Sequence, residues 1–103
     1  MPAQKPKLYA RIKKRYPQYV QAVESLGELA RHLGPLDEKT LHLVQLAAAA
    51  AIRSEGAVHS HVRRALKAGA TVEEIHHALL ALTSTVGFPT VTAAMSWVED
   101  IVP

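Results

Sequence analysis

Apolar residues recur at spacings of three and four along most of the chain, and no segment alternates apolar and polar residues as a strand would. Such spacing places the apolar side chains on one face of a helix. We therefore predict an all-α fold of about six helices. They cover residues 4–14, 17–33, 38–53, 71–85 and 90–99, with a fourth helix that runs from a break at 54–56 to residue 67.

Residues that begin or end helices fall between these segments. Gly34-Pro35 ends the second helix, and Asp37 is placed to cap the third. Gly69 suits the left-handed residue that commonly follows a helix. Thr71 and Glu74 have the spacing of a capping box at the start of the fifth helix.

The third predicted helix is apolar on nearly every side. Residues 41–52 read Leu-His-Leu-Val-Gln-Leu, then five alanines and an isoleucine. A helix that is apolar all round must be buried all round, and a domain of this size hardly encloses one. We therefore expect a homo-oligomer in which other subunits cover part of this helix.

Length and composition indicate one domain over residues 1–103. The chain has no cysteine, which excludes a disulfide framework and a thiolate nucleophile. The N-terminus lacks the apolar segment of a signal peptide, and no run of about 20 apolar residues predicts a membrane span. These features favour a cytoplasmic protein with no membrane contact.

Positive charge is concentrated in the N-terminal segment, residues 1–16, whereas the whole chain has a net charge of +3. A basic patch suits nucleic acid, but the ordinary interpretation is a solvated helix. No nucleic-acid-binding motif accompanies the patch, so a nucleic-acid partner is not expected. The basic residues are Lys5, Lys7, Arg11, Lys13, Lys14 and Arg15.

Residues 54–75 carry a specific resemblance. His61 is followed by Ala65-Leu66-Lys67-Ala68-Gly69-Ala70-Thr71 and then by Glu-Glu-Ile. This run resembles the active-site helix of the carboxymuconolactone decarboxylase family, which includes the alkyl hydroperoxidase D-like proteins. The resemblance extends over residues 36–98. It implies helices packed around a central antiparallel helical hairpin, and homo-oligomers that are commonly trimers or hexamers.

Many members of that family carry Cys-x-x-Cys-x-x-x-His, and here the cysteine positions are Ser54 and Ala57. The family's thiol peroxidase activity is therefore disfavoured. The resemblance implies instead a lyase without a cofactor that acts on a small carboxylated lactone or a related acid. The alternative is a catalytically silent oligomeric scaffold, or a small-ligand binder, of the same fold.

The resemblance also suggests roles for individual residues. Glu55 and His61 would act as proton donor and acceptor, and His42, where many members have a glutamate, would tune His61. Each has a structural alternative: Glu55 favours a helix N-terminus, and a buried histidine is often simply hydrogen-bonded. We expect the contacts to an acidic small-molecule substrate to come from Arg63, Arg64, His59 and Phe88.

The histidines do not predict a metal site. His59 and His61 are two residues apart and therefore point about 200° apart on a regular helix, with His61 directed inward and His59 toward solvent or another subunit. No His-x-x-x-His or His-Glu-x-x-His pattern is present, and the neighbours His76 and His77 diverge as well. No metal and no cofactor are expected.

Overall fold

The computed structural model describes residues 7–102, and these residues form seven helices without a strand. Residues 1–6, where the first predicted helix begins and part of the basic segment lies, are outside the described residues. No helix within 7–102 combines the length and the apolarity that a membrane span requires. The helices are α1 (Lys7–Arg15), α2 (Pro17–Arg31), α3 (Glu38–Ala51), α4 (Glu55–Lys67), α5 (Val72–Leu80), α6 (Thr83–Val86) and α7 (Phe88–Glu99).

The described chain divides into two compact units, residues 7–36 and residues 37–102. In the first unit α1 packs against α2, and Pro17 occupies the first turn of α2, as its missing N–H permits. Glu24 on α2 receives a hydrogen bond from the Tyr9 hydroxyl and lies 3.8 Å from the Lys13 ammonium. Both partners belong to α1, so these polar contacts join the two helices.

In the second unit α3 and α4 form the predicted antiparallel hairpin, and α5 and α7 pack against it. Small alanines on α3 let the neighbouring helices approach closely. The side chains of the core are buried almost completely. They are Leu46, Ala49 and Ala50 from α3, Val58, Val62 and Ala65 from α4, Ala70 from the connection that follows α4, Ile75 and Leu79 from α5, and Ala94 and Val98 from α7.

The turn between α3 and α4 contains a residue with a left-handed backbone angle, Arg53, whose φ is 58°. The Arg53 amide donates to Ala50 O at 3.0 Å, and the Ser54 amide donates to Ala49 O at 3.0 Å. This pair of bonds is the Schellman pattern, which satisfies carbonyls at the end of a helix. Ser54 is also the residue that precedes α4, so one short turn ends α3 and begins α4.

Gly69 ends α4 in the same way, with φ of 99°. The Gly69 amide donates to Leu66 O at 3.1 Å and the Ala70 amide donates to Ala65 O at 2.9 Å. The left-handed end predicted at Gly69 is therefore confirmed. A glycine adopts this φ without the steric penalty that a side chain brings.

The predicted helix over 71–85 is divided in the structure. α5 ends at Leu80, and α6 is a separate four-residue helix, Thr83–Val86. The Thr83 hydroxyl donates to Leu80 O at 2.8 Å in the break. A hydroxyl that bonds a nearby carbonyl offers the backbone an alternative to the helical ladder, and no glycine or proline marks the place. The six predicted helices correspond to the seven observed ones once α5 and α6 are counted together.

Candidate active site

The candidate site forms where α3 and α4 face each other. His42 lies on the inner face of α3 and is only 4% exposed, although its neighbours are apolar. Its Nε2 is 3.8 Å from Glu38 Oε1, one turn earlier on the same helix. A polar ring in an apolar helix is costly unless it is paired. The partner of the His42 ring here is the Glu38 carboxylate, whose side chain is 75% exposed to solvent.

His61 on α4 meets His42 across the hairpin. The two ring centroids are 6.1 Å apart, and the ring planes are tilted by 36°. His61 is half-buried, as the inward direction predicted for it requires. Protonating both rings would place two positive charges side by side, which is unfavourable. The structure thus brings together two of the histidines that the sequence singled out.

Glu55, expected to act with His61 in proton transfer, is exposed in the first turn of α4. Its carboxylate lies instead with His59 and Asp100, and one ligand atom from each of the three falls within 4.8 Å of the other two. The helical period separates this group from His61 on α4.

His59 is more enclosed than its predicted outward direction suggests. Its side chain is 16% exposed, and Nε2 donates a hydrogen bond to Asp100 Oδ2 at 2.9 Å. Asp100 directly follows α7, so the bond joins the end of that helix to α4. Asp100 partly covers His59 and is distant from it in sequence, so the helical period of α4 alone does not predict this burial.

The remaining residues expected to contact a substrate are Arg64 and Arg63 on α4 and Phe88 on α7. Arg64 is exposed and stands three residues after His61, which makes the two neighbours on the surface of α4. Arg63 is half-buried and stands four residues after His59, so these two are also neighbours on the surface of α4. Phe88, in the first turn of α7, is 66% exposed.

Gln45 is a polar residue of the site region that the sequence patterns did not single out. Its Oε1 is buried and accepts no hydrogen bond among residues 7–102. Gln45 follows His42 by three residues, which places the two on neighbouring positions of one face of α3. A buried acceptor without a donor costs free energy, and a ligand that brings an N–H or O–H would remove that cost. Its position on an otherwise apolar helix was the available signal.

Comparison with known proteins identifies the scaffold. The model of the carboxymuconolactone decarboxylase family matches residues 17–100. The chain belongs to this family. The fold around the His42–His61 pair is thus that of the carboxymuconolactone decarboxylase family, and the resemblance drawn from the sequence is confirmed.

The chain is also similar to individual proteins, one of which is a solved member of the same family. The crystal structure of apo-lpg0406, a carboxymuconolactone decarboxylase family protein from Legionella pneumophila, has a TM-score of 0.79, 27% identity, and covers 93% of this chain and 88% of that chain. The uncharacterized protein MJ1511 of Methanocaldococcus jannaschii is 30% identical over 90 residues, 87% of this chain and 84% of that protein. An uncharacterized protein of Haemophilus influenzae is 38% identical over 59 residues, 57% of this chain and 52% of that protein.

Proposed function

We propose that this protein is a lyase that needs no cofactor and removes carbon dioxide from a small carboxylated lactone or a related acid. The observation that supports the proposal is the pairing of His42 and His61 at 6.1 Å, in the helical hairpin of a carboxymuconolactone decarboxylase family fold. Two imidazoles that face each other supply a proton donor and a proton acceptor at neutral pH.

In the proposed reaction, the bond between the carboxylate carbon and the ring carbon breaks, and the electron pair moves into the conjugated lactone. Protonated His61 then delivers its proton to the ring carbon, and solvent returns a proton to the histidine pair. Because His42 stands beside His61, it takes the second position in proton transfer that the sequence had suggested for Glu55. His42 also tunes His61, since charge on one ring opposes charge on the other.

Substrate binding is proposed to use groups around the pair. Arg64 shares the helix surface of His61 and would hold the carboxylate of an acidic ligand, as an arginine fork does. Gln45 Oε1, a buried acceptor without a donor, would receive a hydrogen bond from the substrate. Phe88 presents an exposed apolar ring as a wall, while Arg63 and His59 lie on the neighbouring face of α4 and contact the substrate only if it reaches that far.

A variant series tests the lyase proposal. Lactone acids and related carboxylates are screened for release of carbon dioxide, and His61→Ala is expected to reduce turnover by about 10²–10⁴-fold, the usual effect of losing a general acid–base group. His77→Ala, at an exposed histidine of α5, is the matched control and should retain turnover.

The thermal unfolding of the same variants distinguishes the alternative. If His61 serves only the scaffold, His61→Ala should lower stability by roughly 1–3 kcal/mol and leave ligand binding intact. That outcome would overturn the lyase proposal and favour a silent scaffold or a binder of small acids. The absence of cysteine opposes a third possibility, the thiol peroxidase activity of other family members, because no thiolate is present to attack a peroxide.

A further inference from the structure

A second group of chemically able side chains lies on the other face of α4. Glu55 and His59 are one helical turn apart on this helix, and Asp100 joins them from the end of α7. One ligand atom from each residue falls within 4.8 Å of the others. The group combines one imidazole nitrogen with two carboxylates, a donor set used for divalent transition-metal ions.

The spacing of these atoms is close to that of a metal site. Nitrogen and oxygen donors bind zinc at about 2.0–2.2 Å, so two donors of one tetrahedral ion lie roughly 3.3–3.6 Å apart. Side-chain shifts of about 1 Å would bring the three atoms onto one ion. The carboxylates have room for this adjustment, because Glu55 is exposed and the Asp100 side chain is 50% exposed.

His59 is the least exposed of the three side chains, and a hydrogen bond holds its ring in place. Its side chain is 16% exposed, and Asp100 already holds its Nε2 at 2.9 Å. In a metal-bound form, Nε2 would face the ion and the neutral ring would carry its proton on Nδ1. The open side of the group leaves the remaining coordination positions to water.

Another Glu-x-x-x-His pair in the chain shows what distinguishes this group. On α2, Glu28 Oε1 lies 2.8 Å from His32 Nε2, and the His32 side chain is 72% exposed. The spacing matches that of Glu55 and His59. However, no third ligand from another helix joins Glu28 and His32 in the described part of the chain. Unlike the Glu28–His32 pair, the α4 group combines ligands from two helices with a histidine whose side chain is largely buried.

We propose that Glu55, His59 and Asp100 form a binding site for a divalent transition-metal ion of the zinc type. Two carboxylates beside a neutral imidazole carry a charge of about −2, which attracts a dication even though the chain as a whole is basic. The proposal does not rest on the lyase function, because it uses neither His42 nor His61. The sequence patterns predicted no metal because they compare residues on one helix, and the third ligand here comes from another.

Zinc titration of the chelator-treated protein tests the site. Calorimetry with Zn²⁺ is expected to give one ion per chain, and both His59→Ala and Asp100→Asn should weaken binding by at least about tenfold, since even neighbours of a metal ligand have effects of that size. His32→Ala removes the histidine of the matched surface pair and should bind as the unaltered protein does.

A thermal measurement keeps the test valid if a variant is less stable. A ligand that binds only the folded state raises the melting temperature, so Zn²⁺ should raise it for the unaltered protein and for His32→Ala. The increase should be lost in Asp100→Asn, whose side chain has nearly the same shape. Failure of the unaltered protein to bind Zn²⁺ at micromolar concentration, or equal binding by all four proteins, would overturn the proposal.

Discussion

Two residues with left-handed backbone angles end the two helices of the central hairpin, and only one of them is a glycine. Gly69 has φ of 99° and Arg53 has φ of 58°. A side chain in this region costs roughly 1–2 kcal/mol in local conformational energy. At Arg53 a hydrogen bond of the side chain offsets part of this cost, because Nη1 of the guanidinium donates to Thr90 Oγ1 at 2.9 Å. Gly69 has no side chain that could make such a bond.

Replacing Gly69 with alanine is therefore expected to lower the free energy of unfolding by about 1–2 kcal/mol. A Cβ at this position would meet nothing within 4 Å, so the loss would come from the backbone angle and not from a clash. Urea denaturation measures the change. Gly56→Ala, also in open space but without a positive φ, is the control, and it should be neutral or stabilising within a helix. Equal effects of the two substitutions would contradict this explanation.

Single residues also show how far the sequence reaches. His42 and His61 were each singled out as site residues, but their meeting depends on the turn between two helices, which no spacing within either helix encodes. Asp100 was not singled out at all. It lies far from His59 in sequence, and an aspartate at the end of a helix has no pattern that announces a partner.

At the scale of the element, helix ends were the most predictable features. Asp37 Oδ1 accepts from the Thr40 amide at 2.8 Å, which confirms the expected cap of α3. The capping box of α5 is complete: Thr71 Oγ1 accepts from the Glu74 amide at 3.0 Å, and Glu74 Oε1 accepts from the Thr71 amide at 2.9 Å. Caps are predictable because they are local, whereas the break after α5 depends on packing around residues with no turn signal.

The capping box predicts a specific response to acid. The Thr71 amide and the ammonium of Lys39, 3.0 Å from Glu74 Oε2, hold the pKa of the Glu74 carboxyl below its usual value of 4.5. A lowered pKa in the folded state means that the contribution to stability is present above the usual value and is lost as the pH falls through the lowered one. Glu74→Gln should therefore remove part of the acid dependence of stability.

Urea denaturation between pH 7 and pH 3 measures this effect. The two proteins should differ most near neutrality and converge in acid, where Glu74 is protonated in both states of the unaltered protein. Glu73→Gln, at an exposed neighbour on α5, is the control for a change of charge alone. A constant difference across the whole pH range would contradict the assigned cause.

At the scale of the whole molecule, the expected oligomer rests on the apolar character of α3. Part of that helix is buried in the core, but Val44 is 52% exposed and Ile52 is 76% exposed. Val44, Ala48 and Ile52 are exposed at intervals of four residues, and a contiguous exposed apolar face is typical of surfaces that another subunit covers. Assembly as a trimer or hexamer remains a prediction drawn from the resemblance to the family.

Sedimentation velocity at micromolar concentration tests the assembly. We expect a stable homo-oligomer, and Val44→Glu should weaken association by at least about tenfold, because burying a valine contributes about 1.5 kcal/mol or more and 1.4 kcal/mol corresponds to a factor of ten. Thr92→Glu changes an exposed polar position of α7 and serves as the control. A monomer at these concentrations would contradict the prediction.

The turn at Arg53 also limits how the length of this chain can vary. Two hydrogen bonds of this turn, from the Arg53 amide to Ala50 O and from the Ser54 amide to Ala49 O, fix where α4 begins relative to α3. One residue inserted between α3 and α4 would break this bonding and displace His61 from His42, even if every core side chain found a new neighbour. An insertion between α5 and α6 lies after both histidines and leaves their pairing unchanged. Tolerance of insertions should therefore differ sharply between these two short connections, although neither is itself part of the chemistry.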